Sequence, residues 1–202
     1  DDMALGIECL LCEDEALARD MAVQLDQLNQ DRKAIEQGMQ REALAQLKDL
    51  PLQDMPFGLC LFEPDWHQGV IGILASRMKE RYHRPTIAFA DAGDGVLKGS
   101  ARSVPGFHIR DALDAVAAKH PELISKFGGH AMAAGFTVQE QNLSGFLAQM
   151  NDIARRQLAE RELRPVLQAD MELTLSALRP EILLDLDRME PTGMGNPSVY
   201  FI

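Results

Sequence analysis

Along the chain, apolar positions recur first at helical spacing and then in short runs separated by helical stretches. Leu5 to Leu11 is a short apolar stretch, and Glu13-Asp14-Glu15 follows it with acidic residues suited to a helix start. Between Ala16 and Leu47 there is no proline and a single glycine, Gly38, while Leu17, Met21, Leu25, Leu28, Ile35, Met39 and Leu47 recur near a helical period. Such a helix would run about 48 Å at the usual rise per residue. Its narrow apolar stripe and acidic remainder predict an element that packs along one side only. Two consecutive helices broken near Gly38 fit the same pattern. Pro51 and Pro56 end the segment.

The middle of the chain alternates strand and helix. Phe57 to Phe62 is a short apolar run between Pro56 and Pro64 and predicts a buried strand. Gly69 to Tyr82 places Val70, Ile73, Leu74 and Met78 on one helical face. Pro85 to Ala90 predicts a second strand, and Val96 to Ser103 a third after an Asp-Ala-Gly-Asp-Gly turn. Ile109 to Lys119 is helical, Ala134 to Val138 a strand, and Asn142 to Leu163 a long helix with Leu143, Phe146, Leu147, Met150, Ile153 and Leu158. This order predicts an α/β sheet with helices on its faces. After Pro165 the pattern changes: Val166 to Leu173 alternates like a half-exposed strand, Pro180 to Met189 is a short helix, and Pro191 to Pro197 a rigid loop. Val199 to Ile202 reads as a strand cut short and Asp1 stands where an initiator would, so the chain is expected to be a piece of a longer protein.

Charge locates the chemistry. The net charge is -11. Residues 1–55 carry 13 acidic and 5 basic side chains, residues 56–150 carry 9 of each, and residues 151–202 carry 9 acidic and 6 basic. His67, His83, His108, His120 and His130 all lie in the neutral middle. An acidic total disfavours a generic nucleic-acid coat, but a neutral middle leaves room for a few placed cations. No apolar run reaches the roughly 18 residues of a membrane span, and the N-terminus lacks a basic signal region. Three cysteines make no disulfide framework, and the expected setting is a reducing cytoplasm. Cys9-Leu-Leu-Cys12 has no second pair and fits two buried thiols better than zinc or redox work.

Three segments could carry chemistry. In Phe127-Gly-Gly-His130, Gly128 and Gly129 let the backbone approach an anion while the imidazole adds a donor. The same residues also fit an ordinary tight turn. In Gly99-Ser-Ala-Arg-Ser103, Ser100 and Arg102 lie two apart on a strand, so a hydroxyl and a guanidinium share a face and suit a phosphate or carboxylate. An exposed edge strand gives the same pattern. Glu63-Pro-Asp-Trp-His-Gln-Gly69 leaves a strand and enters a helix, where α/β proteins place ligand contacts. Trp66 there could stack on a base or cover the sheet, and Asp65 with His67 lacks a third metal ligand at recognisable spacing. GxSxG, Walker and HExxH motifs and dense Asp/His clusters are absent from the sequence, which argues against a self-contained hydrolase.

Taken together, Trp66-His-Gln-Gly-Val-Ile-Gly-Ile-Leu-Ala-Ser-Arg77, Gly99-Ser-Ala-Arg-Ser103, Phe127-Gly-Gly-His-Ala-Met-Ala-Ala-Gly135 and Pro191-Thr-Gly-Met-Gly-Asn-Pro197 resemble the RecJ family. These are bacterial single-strand-specific 5′→3′ DNA exonucleases of the DHH phosphoesterase superfamily. The resemblance covers essentially the whole chain and implies three parts. Residues 1–50 would be the end of a DHH domain and a long connector helix, residues 51–164 a DHH-associated domain with a mixed sheet flanked by helices, and residues 165–202 the truncated start of an oligonucleotide-binding (OB) fold. Ser100, Arg102 and Ser103 would hold phosphates of the 5′-terminal nucleotides. Gly128, Gly129 and His130 would orient the reacting phosphate, with His130 stabilising transition-state charge, and His67 and Gln68 would support the same cleft. Mn²⁺ or Mg²⁺ would be bound by the DHH half, which this chain lacks, so the chain by itself is expected to be inactive. The implied partners are single-stranded DNA, a single-strand-binding protein and a helicase, in DNA recombination and repair. A DHH-superfamily oligonucleotide phosphodiesterase or phosphatase, and a pure nucleic-acid-binding module, remain as alternatives.

Overall fold

The computed structural model describes all residues except 1, 2, 52, 53, 125, 160–162, 165, 167 and 194. The chain divides into two compact units, Asp1–Leu163 and Arg164–Ile202.

The first unit opens with helix α1 (Met3–Leu11) and helix α2 (Glu15–Leu47). Asp14 starts α2 by accepting hydrogen bonds from the amides of Ala16 and Leu17, at 2.9 and 3.1 Å, which satisfies two of the orphan donors of the first turn. The helix passes through Gly38 without a break. A mid-helix glycine costs only about 1 kcal/mol against alanine. Side-chain pairs four apart line the exposed faces, among them Arg19–Glu15, Gln27–Asp31, Gln30–Asp26 and Arg32–Glu36. Beyond Gly38 the buried Met39, Ala43 and Leu47 anchor it. Cys9 and Cys12 are half-buried rather than fully buried, and their thiols reach the Ala18 and Asp14 carbonyls.

A five-stranded mixed sheet follows, in the order β1-β2-β3-β5-β4. Strand β1 (Leu59–Phe62) runs parallel to β2 (Thr86–Asp91), as a crossover through helix α3 (Ile71–Tyr82) requires. Strands β3 (Val96–Arg102), β4 (Lys126–Gly129) and β5 (Ala133–Gln139) are joined antiparallel, with helix α4 (Ile109–Lys119) between β3 and β4. A short 3₁₀ turn (Glu140–Asn142) leads into helix α5 (Leu143–Leu158). Alternate strand residues face two cores. Ile87, Phe89, Leu97, Ala101, Phe136 and Val138 pack on α4 and α5, where Phe89 meets Phe136 and Phe146 edge-on at 5.7 and 6.1 Å. Leu59, Leu61, Ala88 and Ala90 pack on α3 and the end of α2.

β4 is the element that sequence periodicity did not anticipate. Phe127-Gly-Gly lies in an edge strand, and the turn falls after it, at residues 130–132. Glycine weakens a strand by its entropy, so four residues holding two glycines carry no strand signal of their own; pairing with β5 supplies the order.

In the second unit, helix α6 (Pro180–Asp187) forms with proline in its first turn. The alternation at Val166–Leu173 yields less than a strand. Among its described residues only Met171 bridges, to Phe201, flanked by bonds from the Asp170 amide to Tyr200 O and the Leu173 amide to Ile202 O. Two short segments without further strands cannot build a sheet. In the Pro191–Pro197 loop, the Asn196 amide nitrogen clamps the turn by donating to the Met189 and Pro191 carbonyls.

Candidate nucleic-acid interface

β3 alternates strictly. Leu97, Gly99 and Ala101 are buried, whereas Lys98, Ser100 and Arg102 point to the α3 side and keep some exposure. Arg102 folds back over its own strand: Nη1 donates to Ser100 Oγ at 3.1 Å and to the Ala101 carbonyl at 2.9 Å. The far end of the guanidinium rests on the first turn of α3. A Cβ on Gly72 would sit 2.8 Å from Arg102 Nη2 and 3.1 Å from Ser100 Oγ, so a side chain there would displace the guanidinium from the helix. α3 begins without a side-chain cap. Its first amides therefore add positive partial charge beside a guanidinium that has no carboxylate partner among the described residues. Two positive features held together leave this corner short of an anion.

The face continues across β5 and β4. Ser100 is in register with Gly135, and Gly135 with Gly128, so the row beside Ser100 has no side chains on it. A Cβ on Gly128 would meet nothing within 4 Å. One row along, Lys98, Thr137 and Lys126 are in register, with both lysines exposed and unpaired among the described residues. Neighbouring strands lie about 4.8 Å apart and residues about 3.3 Å along a strand, so the shelf measures about 10 Å by 13 Å. The residues of β3, β4 and β5 that share this face include no carboxylate.

Gly129 closes the far end. Its φ of +148° and a hypothetical Cβ only 2.3 Å from Ala133 O and 2.5 Å from Ala134 Cα admit no side chain. His130 follows, exposed, with its amide bonded to Ala133 O at 2.8 Å. Ala133 is the register partner of Arg102, so His130 and the Arg102 backbone mark the same end of the sheet. Behind this strand, Arg110 of α4 lies 5.6 Å from the Phe127 ring centroid and donates to Gly129 O at 3.5 Å.

Sequence-expected residues divide accordingly. Ser100, Arg102, Gly128 and His130 share the open face or its rim. Gly129 shapes the turn. Ser103 departs from the expectation: it is fully buried, its hydroxyl donates to Phe107 O and its amide to Met132 O, so it braces the turn into α4 and reaches no ligand. His67 and Gln68 are exposed in the loop before α3, with the Gly69 amide donating to His67 Nδ1 and Gln68 Nε2 donating to Asp91 O. Asp91 pairs with Leu97 at the start of β3, the end away from His130. Trp66 is core: it is 3% exposed and donates from Nε1 to Glu42 Oε2 at 2.8 Å. Sequence reading missed Lys98, Lys126, Gly72 and Gly135. Lys98 shares parity with Ser100 and was legible; Lys126 and Gly135 needed the register, and Gly72 the helix packing. Among the described residues, no group of three or more His, Cys, Asp or Glu side chains could hold a metal ion.

Residues 55–156 match the DHHA1 domain family. The chain is 49% identical over its whole length to the single-stranded-DNA-specific exonuclease RecJ of Dickeya dadantii, covering 35% of that protein. Identity to the same-named protein of Haemophilus influenzae is 43%, again over the whole chain and 35% of the relative. The crystal structure of RecJ from Thermus thermophilus in complex with Mg²⁺ superposes with a TM-score of 0.81 at 32% identity, over 98% of this chain and 29% of that one. The chain thus spans about a third of the length of the curated relatives it matches.

Proposed function

The chain belongs to the DHHA1 domain family, and from that premise we propose that it is the substrate-binding part of a 5′→3′ single-stranded-DNA exonuclease acting in recombination and repair. The observation that carries this reading is the carboxylate-free sheet face on which Arg102, Lys98 and Lys126 surround a floor of Gly128 and Gly135. Arg102 and Ser100 hold one backbone phosphate in a fork completed by the first amides of α3. Lys98 and Lys126 act as point charges on further phosphates. The glycine row leaves space for sugar and backbone to lie against the strands. His130 at the rim orients the terminal phosphate and offsets charge that develops on it.

With Arg102, Ser100 and the two lysines engaged on phosphates, the contacts position a strand without regard to sequence. The shelf also carries no exposed aromatic ring to stack bases, which makes affinity mainly electrostatic and steeply dependent on salt. In this reading α2 is the connector to a further, metal-binding part of the protein, which would supply divalent-ion chemistry for phosphodiester hydrolysis. The described residues of this chain do not fit such ions, and no step here is routed through them. A strand freed by a helicase and carried by a single-strand-binding protein is the natural form of the substrate. The reading includes a cytoplasmic setting, supported by three free thiols; among the described residues, no helix is long and apolar enough to cross a membrane.

The test is a chimera in which this chain replaces the corresponding third of the Dickeya relative. It should degrade 5′-labelled single strands with Mn²⁺, whereas the chain alone should not. Arg102→Ala and His130→Ala in the chimera should each lower kcat/KM by about 100-fold, the usual scale for one oxyanion-type donor. Unchanged rates in both variants would refute the reading.

A further inference from the structure

A second basic surface lies away from the shelf, at the opposite end of α3. The last turns of α2 and α3, with Leu50 and Met55, border an open groove of about 650 Å³. Buried Leu47 and Met55 with half-buried Leu44 make an apolar floor, and exposed Leu50, Arg41, Lys48 and Arg81 line it with Tyr82 beside them. Most of the lining comes from the acidic residues 1–55, yet among the described residues it includes no carboxylate. Arg41, Lys48 and Arg81 are all exposed, and none forms an ion pair among the described residues. Arg81 instead lies 6.0 Å from the centroid of the Tyr82 ring. Helix-end charge accounts for Lys48 and Arg81, which sit at the C-termini of their helices. It does not account for Arg41, which is more than a turn inside α2, where the dipole is no longer felt.

We propose that this groove binds a phosphorylated nucleoside, with the phosphate held by Arg41, Lys48 and Arg81 and the base against Tyr82 and the apolar floor. The groove is shallow and mixed, with polar and apolar surface in similar shares, and its volume of about 650 Å³ falls within the range of about 300–1,000 Å³ usual for small-ligand sites. The three cations select an anion. The half-exposed phenol ring and the leucines select an anion that also carries a flat, weakly polar body. The choice of a nucleotide over other such anions rests on the reading of the sheet face as a DNA surface. Two sources supply this chemistry: a mononucleotide released by strand hydrolysis, or one unit of a strand running past the shelf.

The experiment follows the Met55 methyl resonance and the Tyr82 ring signals of the whole chain while thymidine 5′-monophosphate, a ten-residue oligothymidylate or inorganic phosphate is added. Saturable shifts are expected with the mononucleotide or the oligomer, and at least tenfold weaker binding of inorganic phosphate. Shifts with both mononucleotide and oligomer, or with the mononucleotide alone, identify the released product; shifts with the oligomer alone identify the strand. The double variant Arg41→Gln, Arg81→Gln changes only exposed side chains, so it should fold, and should lose at least tenfold in affinity. Arg102→Ala should leave groove binding of the mononucleotide unchanged even if it abolishes binding at the shelf, so failure of one site is separable from failure of the other. Absence of saturable shifts with either nucleotide, or equal affinity of the double variant, overturns the proposal.

Discussion

Gly128 and Gly129 are adjacent in sequence and do opposite work, which alanine substitution separates. At Gly129 a Cβ would lie 2.3 Å from Ala133 O and 2.5 Å from Ala134 Cα, both on backbone that cannot rotate away. The φ of +148° adds its own strain for an L side chain. Overpacking costs about 1–3 kcal/mol and a residue forced into a sparsely populated backbone region about 1–3 kcal/mol more, so Gly129→Ala should lose about 2–6 kcal/mol. For a chain of this size each kcal/mol moves the melting temperature by about 2–4 °C, which gives a fall of about 4–24 °C. At Gly128 the same methyl group meets nothing within 4 Å. Gly128→Ala should therefore keep the melting temperature within about 2 °C, since exposed changes stay within about 0.5 kcal/mol, while its methyl group intrudes on the shelf and weakens strand binding. Thermal and urea melts followed by circular dichroism and anisotropy titrations with a labelled oligothymidylate read the two effects. A stable Gly129→Ala protein, or a Gly128→Ala protein that unfolds, would refute the assignment of turn and floor.

Other consequences are equally direct. Trp66→Ala empties a buried site in the core between the sheet and α3 and should cost about 3–5 kcal/mol, whereas Trp66→Phe loses chiefly the bond to Glu42 and should cost about 1–2 kcal/mol, both read from urea midpoints. Each phosphate contact on a single strand contributes about 0.7 to the slope of log affinity against log salt, so removing Lys98 and Lys126 together should flatten that slope by about 1.4. Burial pushes the Cys60 thiol from its ordinary 9.0 up to about 12. Between those values the folded chain keeps a proton that the unfolded chain releases, so stability should fall as pH rises above 9.0, by up to about 1.4 kcal/mol per pH unit. Urea midpoints of the parent and of Cys60→Ala across that range isolate this contribution; parallel profiles would contradict it.

How much of this was legible in the sequence depends on the range of the interactions. Local signals carried far: Asp14 marks the start of α2, the alternation in Val96–Arg102 puts Ser100 and Arg102 on one face, and the apolar periods locate α3, α4 and α5. Elements that depend on a distant partner were hidden. β4 exists because β5 pairs with it, and Lys126 joins Lys98 only through the intervening Thr137. Ser103 has the composition of a ligand contact, but the turn at Val104–Phe107 folds over it and claims its hydroxyl. The acidity of the whole chain likewise misleads, since charge acts where side chains converge, and the shelf and the groove gather cations without carboxylates.

The most direct test of the central claim is an anisotropy titration of the chain with single-stranded and duplex oligonucleotides of equal length over a range of salt concentrations, repeated with Arg102→Ala. A charge-assisted contact contributes about 1.5–3 kcal/mol, so the variant should bind the single strand about 10- to 150-fold more weakly. The parent should prefer the single strand, with affinity falling as salt rises. Equal binding by parent and variant, or a preference for duplex, would contradict the assignment of this face as the strand-binding surface.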